Sequence, residues 1–107
     1  MLIIETPTFT RQIGAILSDE EYRQLQNQLV EQPDLGAVIP GTKGLRKMRF
    51  AESGKGKRGG GRLIYYWLVN SETLYMVFAY RKSKAEDLTK AQLSMLAKQV
   101  EEYIHEG

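Results

Sequence analysis

A chain of 107 residues, 42% apolar and 26% charged, has the size and composition of one globular domain with one core, spanning residues 1–107. It has no cysteine, which excludes disulfides, thiolate catalysis and zinc–thiolate sites; it has no apolar run near the roughly 18 residues of a membrane span and no secretory leader pattern, so a cytoplasmic protein without membrane contact is expected. Its net charge of +2 is unevenly spread: residues 43–84 carry eleven Lys and Arg against Glu52 and Glu72, a net +9, while the remainder carries four against eleven acids, a net −7, the pattern of one face that binds a polyanion.

In chain order, Leu2–Ile4 predicts a short strand stopped by Pro7. Phe9, Ile13, Ile16 and Leu17 recur at helical spacing and predict a short helix that Gly14 weakens. Ser18 opens a stronger one. With Glu21 it makes a capping box, and Leu17 and Tyr22 occupy the staple positions around it. Tyr22, Leu25 and Leu29 line its apolar face and Pro33 ends it, which completes a helical hairpin. Residues 34–44, punctuated by Gly36, Pro40, Gly41 and Gly44, read as a loop. Leu45–Ala51 predicts a strand, with Arg46, Met48 and Phe50 on one face and Lys47 and Arg49 on the other.

Residues 54–62 hold five glycines and four cations, Lys55, Lys57, Arg58 and Arg62. Glycine leaves the backbone uncovered, so a large anion can approach, and the natural partner of so much fixed charge is a phosphodiester chain. Arg62–Val69 is apolar on both faces and predicts a central strand, Asn70–Glu72 a turn, and Thr73–Tyr80 the next strand. Thr89 caps the last helix, Gln92 completing a second box, and Leu93, Leu96, Val100, Tyr103 and Ile104 mark its buried face. The expected fold is α+β: a curved, mainly antiparallel four-stranded sheet with an N-terminal helical hairpin and a C-terminal helix, in the order βααβββα.

In such a meander the strand that begins at Arg62 runs opposite to the one that ends at Tyr80. Arg62 is therefore expected near Tyr80–Lys82, with Lys47 and Arg49 on the other neighbour. His105 is the sole histidine and lies in the last three residues, so a two-histidine ribonuclease is impossible. The basic centre holds no carboxylate cluster with ligand spacing, so no metal site is expected. Phosphodiester chemistry here would run on Lys, Arg and Tyr, and RNA brings its own nucleophile, the 2′-OH. Arg62 and Arg58 suit charge neutralisation on the phosphorane. A lysine among crowded cations suits proton transfer, and so does Tyr80, which alternatively stacks on a base. No Gly-x-x-x-x-Gly-Lys-Ser/Thr phosphate loop is present, and Tyr65, Tyr66 and Trp67 read as core first. On the residues alone a solvated hairpin, a passive nucleic-acid grip and a catalytic site all stay open.

The run Gly41-Thr42-Lys43-Gly44-Leu45-Arg46-Lys47-Met48-Arg49, then Gly54 to Arg62, then Ile64-Tyr65-Tyr66, resembles the HigB-type toxins of the RelE superfamily. Asp87-Leu88-Thr89 before the last helix matches as well, and the similarity spans nearly the whole chain. The resemblance implies a RelE-like fold and a bacterial type II toxin: a ribosome-dependent mRNA endoribonuclease that uses no metal or other cofactor, leaves a cyclic phosphate, and arrests translation and growth. It implies as partners a cognate antitoxin of the HigA-like, helix-turn-helix kind, the ribosome with its rRNA, and mRNA; operator DNA is reached only through the antitoxin complex. By the motif match Lys55, Lys57, Arg62, Tyr80 and Lys82 are the expected catalytic residues, and Lys47, Arg49, Arg58 and Arg81 the expected RNA-binding ones. A gyrase inhibitor of the ParE kind or a plain nucleic-acid-binding module is the alternative.

Overall fold

A computed structural model describes residues 1–51, 60–82 and 87–106, Glu106 by its backbone alone. The elements are β1 (Leu2–Glu5), α1 (Pro7–Ile16), α2 (Asp19–Glu31), β2 (Ala37–Val38), β3 (Leu45–Phe50), β4 (Gly61–Leu68), β5 (Thr73–Arg81) and α3 (Lys90–Glu106). They form one sheet in the order β1-β5-β4-β3-β2. Edge strand β1 runs parallel to β5, and every other pairing is antiparallel. The expected α+β architecture holds, with five strands among the described residues where four were expected. The added strand, β2, pairs Ala37 with Lys47 and Val38 with Arg46, inside the stretch read as a loop. Two residues are too few to show alternation, and the glycines and proline around them carry the turn signal.

Local chemistry starts each helix. Ser18 Oγ accepts from Glu21 N at 3.1 Å while Glu21 Oε1 accepts from Ser18 N at 2.9 Å. Thr89 and Gln92 make the same reciprocal pair at 3.1 and 2.8 Å. The start of α1 lay outside the sequence reading. Pro7 takes the first helical position, and Thr6 caps it by accepting from Phe9 N at 3.0 Å. The same Thr6 hydroxyl donates to Val77 O at 2.9 Å, so one side chain starts a helix and holds a strand.

The sheet is covered on both faces. Phe9, Ile13, Leu25 and Leu29 of α1 and α2 pack on Met48, Leu63, Tyr65 and Met76. Leu96 and Val100 of α3 pack on Leu45, Ile64, Tyr75 and Val77. Leu63 and Ile64 are adjacent on β4 and both fully buried, each stabilising the fold by about 1.5–3 kcal/mol. Tyr65 spends its hydroxyl on the turn after α2, donating to Pro33 O and accepting from Gly36 N, both at 2.7 Å. It is a core residue, as expected.

Strand β5 carries one irregularity that matters for function. Ile64 pairs with Phe78 and Tyr65 with Met76, which leaves Val77 as an extra residue. A bulge of this kind switches the parity of the strand beyond it. Tyr75 and Val77 face α3 before the switch, while Phe78 does so after it and Ala79 faces the α1 side. Strand β1 stops at Met76, and α1 then lines the edge of β5 in its place. Gln12 Oε1 accepts from Ala79 N at 2.8 Å, and Arg81 Nη2 donates to Ala15 O at 2.9 Å. Side chains here do for an open edge what another strand would otherwise do.

Candidate nucleic-acid interface

Arg49 of β3, Arg62 of β4 and Tyr80 of β5 are direct neighbours across three adjacent strands. Residues paired in this way share a face, and Lys47, two residues before Arg49, shares it too. This is the α3 face, at the end of the sheet where α3 begins. Arg49 is exposed and Lys47 half-buried, whereas Arg62 and Tyr80 are only 4% and 7% exposed. The parity switch at Val77 is what brings Tyr80 to this face.

Arg62 is a buried guanidinium. Its Nη1 donates to Gly61 O at 3.1 Å, the one hydrogen bond it makes among the described residues. A guanidinium has five N–H donors, and burying them unfilled is costly. An anion arriving at this position meets donors that are already in place. Beside it the Tyr80 hydroxyl is buried without a hydrogen-bond partner among the described residues, a state that costs about 1–3 kcal/mol until something fills it. Burial pushes the Tyr80 phenol above its ordinary value near 10, and the opposing pull of Lys47 and Arg62 does not cancel that. The phenol is therefore a neutral O–H at physiological pH.

The segment leading into α3 closes the row from above. Asp87 Oδ1 accepts from Lys47 Nζ at 2.9 Å. That hydrogen bond and charge, followed by the charges of Lys82 and Arg62, hold the Asp87 carboxyl below the usual carboxylate range. Between this segment and the sheet lies a pocket of about 230 Å³ lined by Ile39, Lys47, Ile64, Tyr80, Asp87, Leu88 and Leu93. A larger, shallower depression of about 830 Å³ runs between α2 and the edge of β3. Lys47 and Arg49 of β3 and Glu21 of α2 are among its lining residues, with Leu17, Leu25, Met48 and Phe50.

The predicted site residues divide into three groups. Lys47, Arg49, Arg62 and Tyr80 come together on one face. Lys82 follows Tyr80, is exposed, and lies close enough for its charge to act on Asp87. Lys55, Lys57 and Arg58 lie outside the described residues, but the chain leaves at Ala51 and returns at Gly60 beside this row; Lys82 N donates to Gly60 O at 3.2 Å. Arg81 is not brought to the row. It projects from the opposite face onto the end of α1, because alternation after Tyr80 turns it away. Two further cations of the basic stretch are structural. Arg46 donates to Gly36 O at 2.7 Å and lies 5.9 Å over the Trp67 ring, and Lys43 pairs with Glu101 of α3 at 2.8 Å. His105 is exposed near the end of α3.

The sequence reading missed Asp87 as part of this cluster. The available signal was an acid standing between the cationic end of β5 and the Thr89 cap. Among the described residues no group of three His, Asp or Glu is placed to hold a metal ion, and no helix is long and apolar enough to cross a membrane.

No protein-family profile matches the chain. In structure it is similar to a mutant of the E. coli toxin RelE in the free state, with a TM-score of 0.59 and 16% identity over 92% of this chain and 94% of that one. At that identity the likeness is one of fold, and the α+β architecture of the described residues is RelE-like.

Proposed function

We propose that this chain is the toxin of a type II toxin–antitoxin pair, of the HigB type within the RelE superfamily, and that it acts as a ribosome-dependent mRNA endoribonuclease in the bacterial cytoplasm. A cognate HigA-like antitoxin would restrain it and carry the pair to operator DNA. The observation that carries the reading is the row Arg49–Arg62–Tyr80, with Lys47 on the same face, at the sheet end where the glycine–lysine segment joins β3 to β4. The RelE-like fold supports it.

The chemistry follows from the side chains. The RNA 2′-oxygen attacks the adjacent phosphorus, the bond to the 5′-oxygen breaks, and a cyclic phosphate and a 5′-hydroxyl result. Arg62, with its donors fixed in place, takes the charge that grows on the phosphorane. Tyr80, neutral and without a hydrogen-bond partner among the described residues, donates to the leaving oxygen. Lys55, Lys57 and Lys82 are the candidates to move the other proton. Lys47, Arg49 and Arg58 hold the RNA backbone in line.

Expression in bacteria is expected to halt translation and to leave cuts in translated mRNA. Arg62→Ala is expected to slow cleavage by about 10²–10³-fold. Both Arg62→Ala and Lys57→Ala should relieve growth arrest with an unchanged circular-dichroism spectrum. Intact messages together with DNA damage would replace this reading with gyrase inhibition. No growth effect at all would leave a passive nucleic-acid-binding module.

A further inference from the structure

Lys47 meets an acid of its own chain at the place where RNA would meet it. Its Nζ lies 2.9 Å from Asp87 Oδ1, and both residues line the pocket beside Tyr80. Among the described residues Asp87 is the one carboxylate in that lining. Three cations act on it, Lys47 by contact and charge, Lys82 and Arg62 by charge. A carboxylate so surrounded stands as a phosphate would, an anion whose oxygens accept from the donors of the row. The start of α3 does not need it there, because Thr89 and Gln92 already cap that helix. Packing does not hold it there either, since 63% of its side chain is exposed.

Resting on the reading above only in taking RNA as the incoming anion, we infer that Asp87 is a tethered counter-anion, which holds Lys47 in the unbound protein and is displaced from it when an RNA phosphate arrives. A tethered group competes as though present at a fixed concentration, roughly millimolar for a short flexible connection. A lone anion that reaches Lys47 has nothing to set against this competitor. A strand that engages Arg49 and Arg62 at the same time has those contacts to offset the exchange. Once displaced, the carboxylate lies beside bound phosphate, and like charges so close oppose binding. The contact therefore restrains the site from within and lowers its affinity for RNA. The Lys43–Glu101 pair, 2.8 Å long, has the same chemistry about three turns along α3 from its start, and it provides the comparison.

The test is binding of a labelled single-stranded oligoribonucleotide to the intact protein, followed by fluorescence anisotropy. Asp87→Asn and Asp87→Ala are each expected to bind about two- to fivefold more tightly at low salt, the range of a part-exposed ion pair. The gain should shrink as salt is added. Glu101→Gln removes the same charge from the other lysine pair and should tighten binding less. In a Lys47→Ala background, Asp87→Asn should add no more than Glu101→Gln does, as expected of a coupled pair. Unchanged or weaker binding by both Asp87 variants, a gain no larger than that of Glu101→Gln, or a gain that persists in full without Lys47 would each overturn the assignment. Loss of the fold in both Asp87 variants, read by circular dichroism, would make the acid a prop of α3 and overturn it too. Cleavage of translated mRNA by the unaltered protein is read alongside. Cut messages with no gain in the variants remove the counter-anion and leave the ribonuclease reading. A gain with intact messages removes the ribonuclease reading and leaves the counter-anion, whose one premise is that RNA binds.

Discussion

Tyr80 is the residue whose environment most narrows its role. Burial raises its phenol above the ordinary value near 10, so the protonated form persists as pH rises and is lost only beyond that value. It can donate a proton or a hydrogen bond at neutral pH but is not a resting base. Tyr80→Phe is expected to slow cleavage on programmed ribosomes by about 10²-fold or more. The pH–rate profile of the unaltered protein should show no inflection below pH 10 that this substitution removes; such an inflection would give Tyr80 a different role. Lys47 and Arg49 were legible in the sequence as a same-face pair because β3 alternates cleanly. The Arg62–Tyr80 pairing was legible from strand direction alone. Arg81 was grouped with them although it directly follows Tyr80, and strand alternation turns it to the other face; the extra residue at Val77 hides only which of the two faces Tyr80 itself takes. Asp87 was hidden for another reason: a single acid near a helix cap reads as helix-start chemistry.

Among the elements, both capping boxes, the hairpin of helices and the central strands could be read directly, because each rests on residues a few positions apart. What could not be read rests on contacts between distant residues: β2, the Thr6 bond to Val77, and the edge of β5 taken over by α1. Two glycines show how differently the same residue serves two elements. Gly14 sits on the exposed side of α1, where an added Cβ meets nothing within 4 Å. Gly14→Ala is expected to stabilise the fold by about 0.5–1 kcal/mol, raising the Tm by a few degrees. Gly60 faces the Phe50 carbonyl on the neighbouring strand, and an added Cβ would overlap it. Because backbone cannot step aside as a flexible side chain can, Gly60→Ala is expected to destabilise by about 1–3 kcal/mol. A thermal melt that ranks the two variants the other way would refute this account of the β4 entrance.

At the scale of the whole molecule, the uneven charge seen in the sequence is only partly available to a ligand. Lys43 is paired with Glu101, Arg46 grips the turn after α2, and Arg81 ties β5 to α1. Lys47 of the row is paired with Asp87 in its turn, so Arg49 and Arg62 are the cations of the row set to meet a polyanion. Binding of single-stranded RNA is therefore expected to weaken with salt, with a slope of about −0.7 in log K against log salt for each phosphate engaged. Arg49→Ala should lower that slope by about one such unit in fluorescence anisotropy, and Arg81→Ala should leave it unchanged. The reverse result would put the RNA on the other face of the sheet. The parallel pairing of β1 with β5 has a practical consequence. Leu2 lies level with Thr73, and Tyr103 and Ile104 of α3 line a hollow with Leu2 and Thr73, so both ends of the described chain emerge at the pole opposite Arg62. A dye or affinity handle attached at either terminus would report on the protein, or tether it to a surface, while leaving the cationic end open to whatever comes to bind.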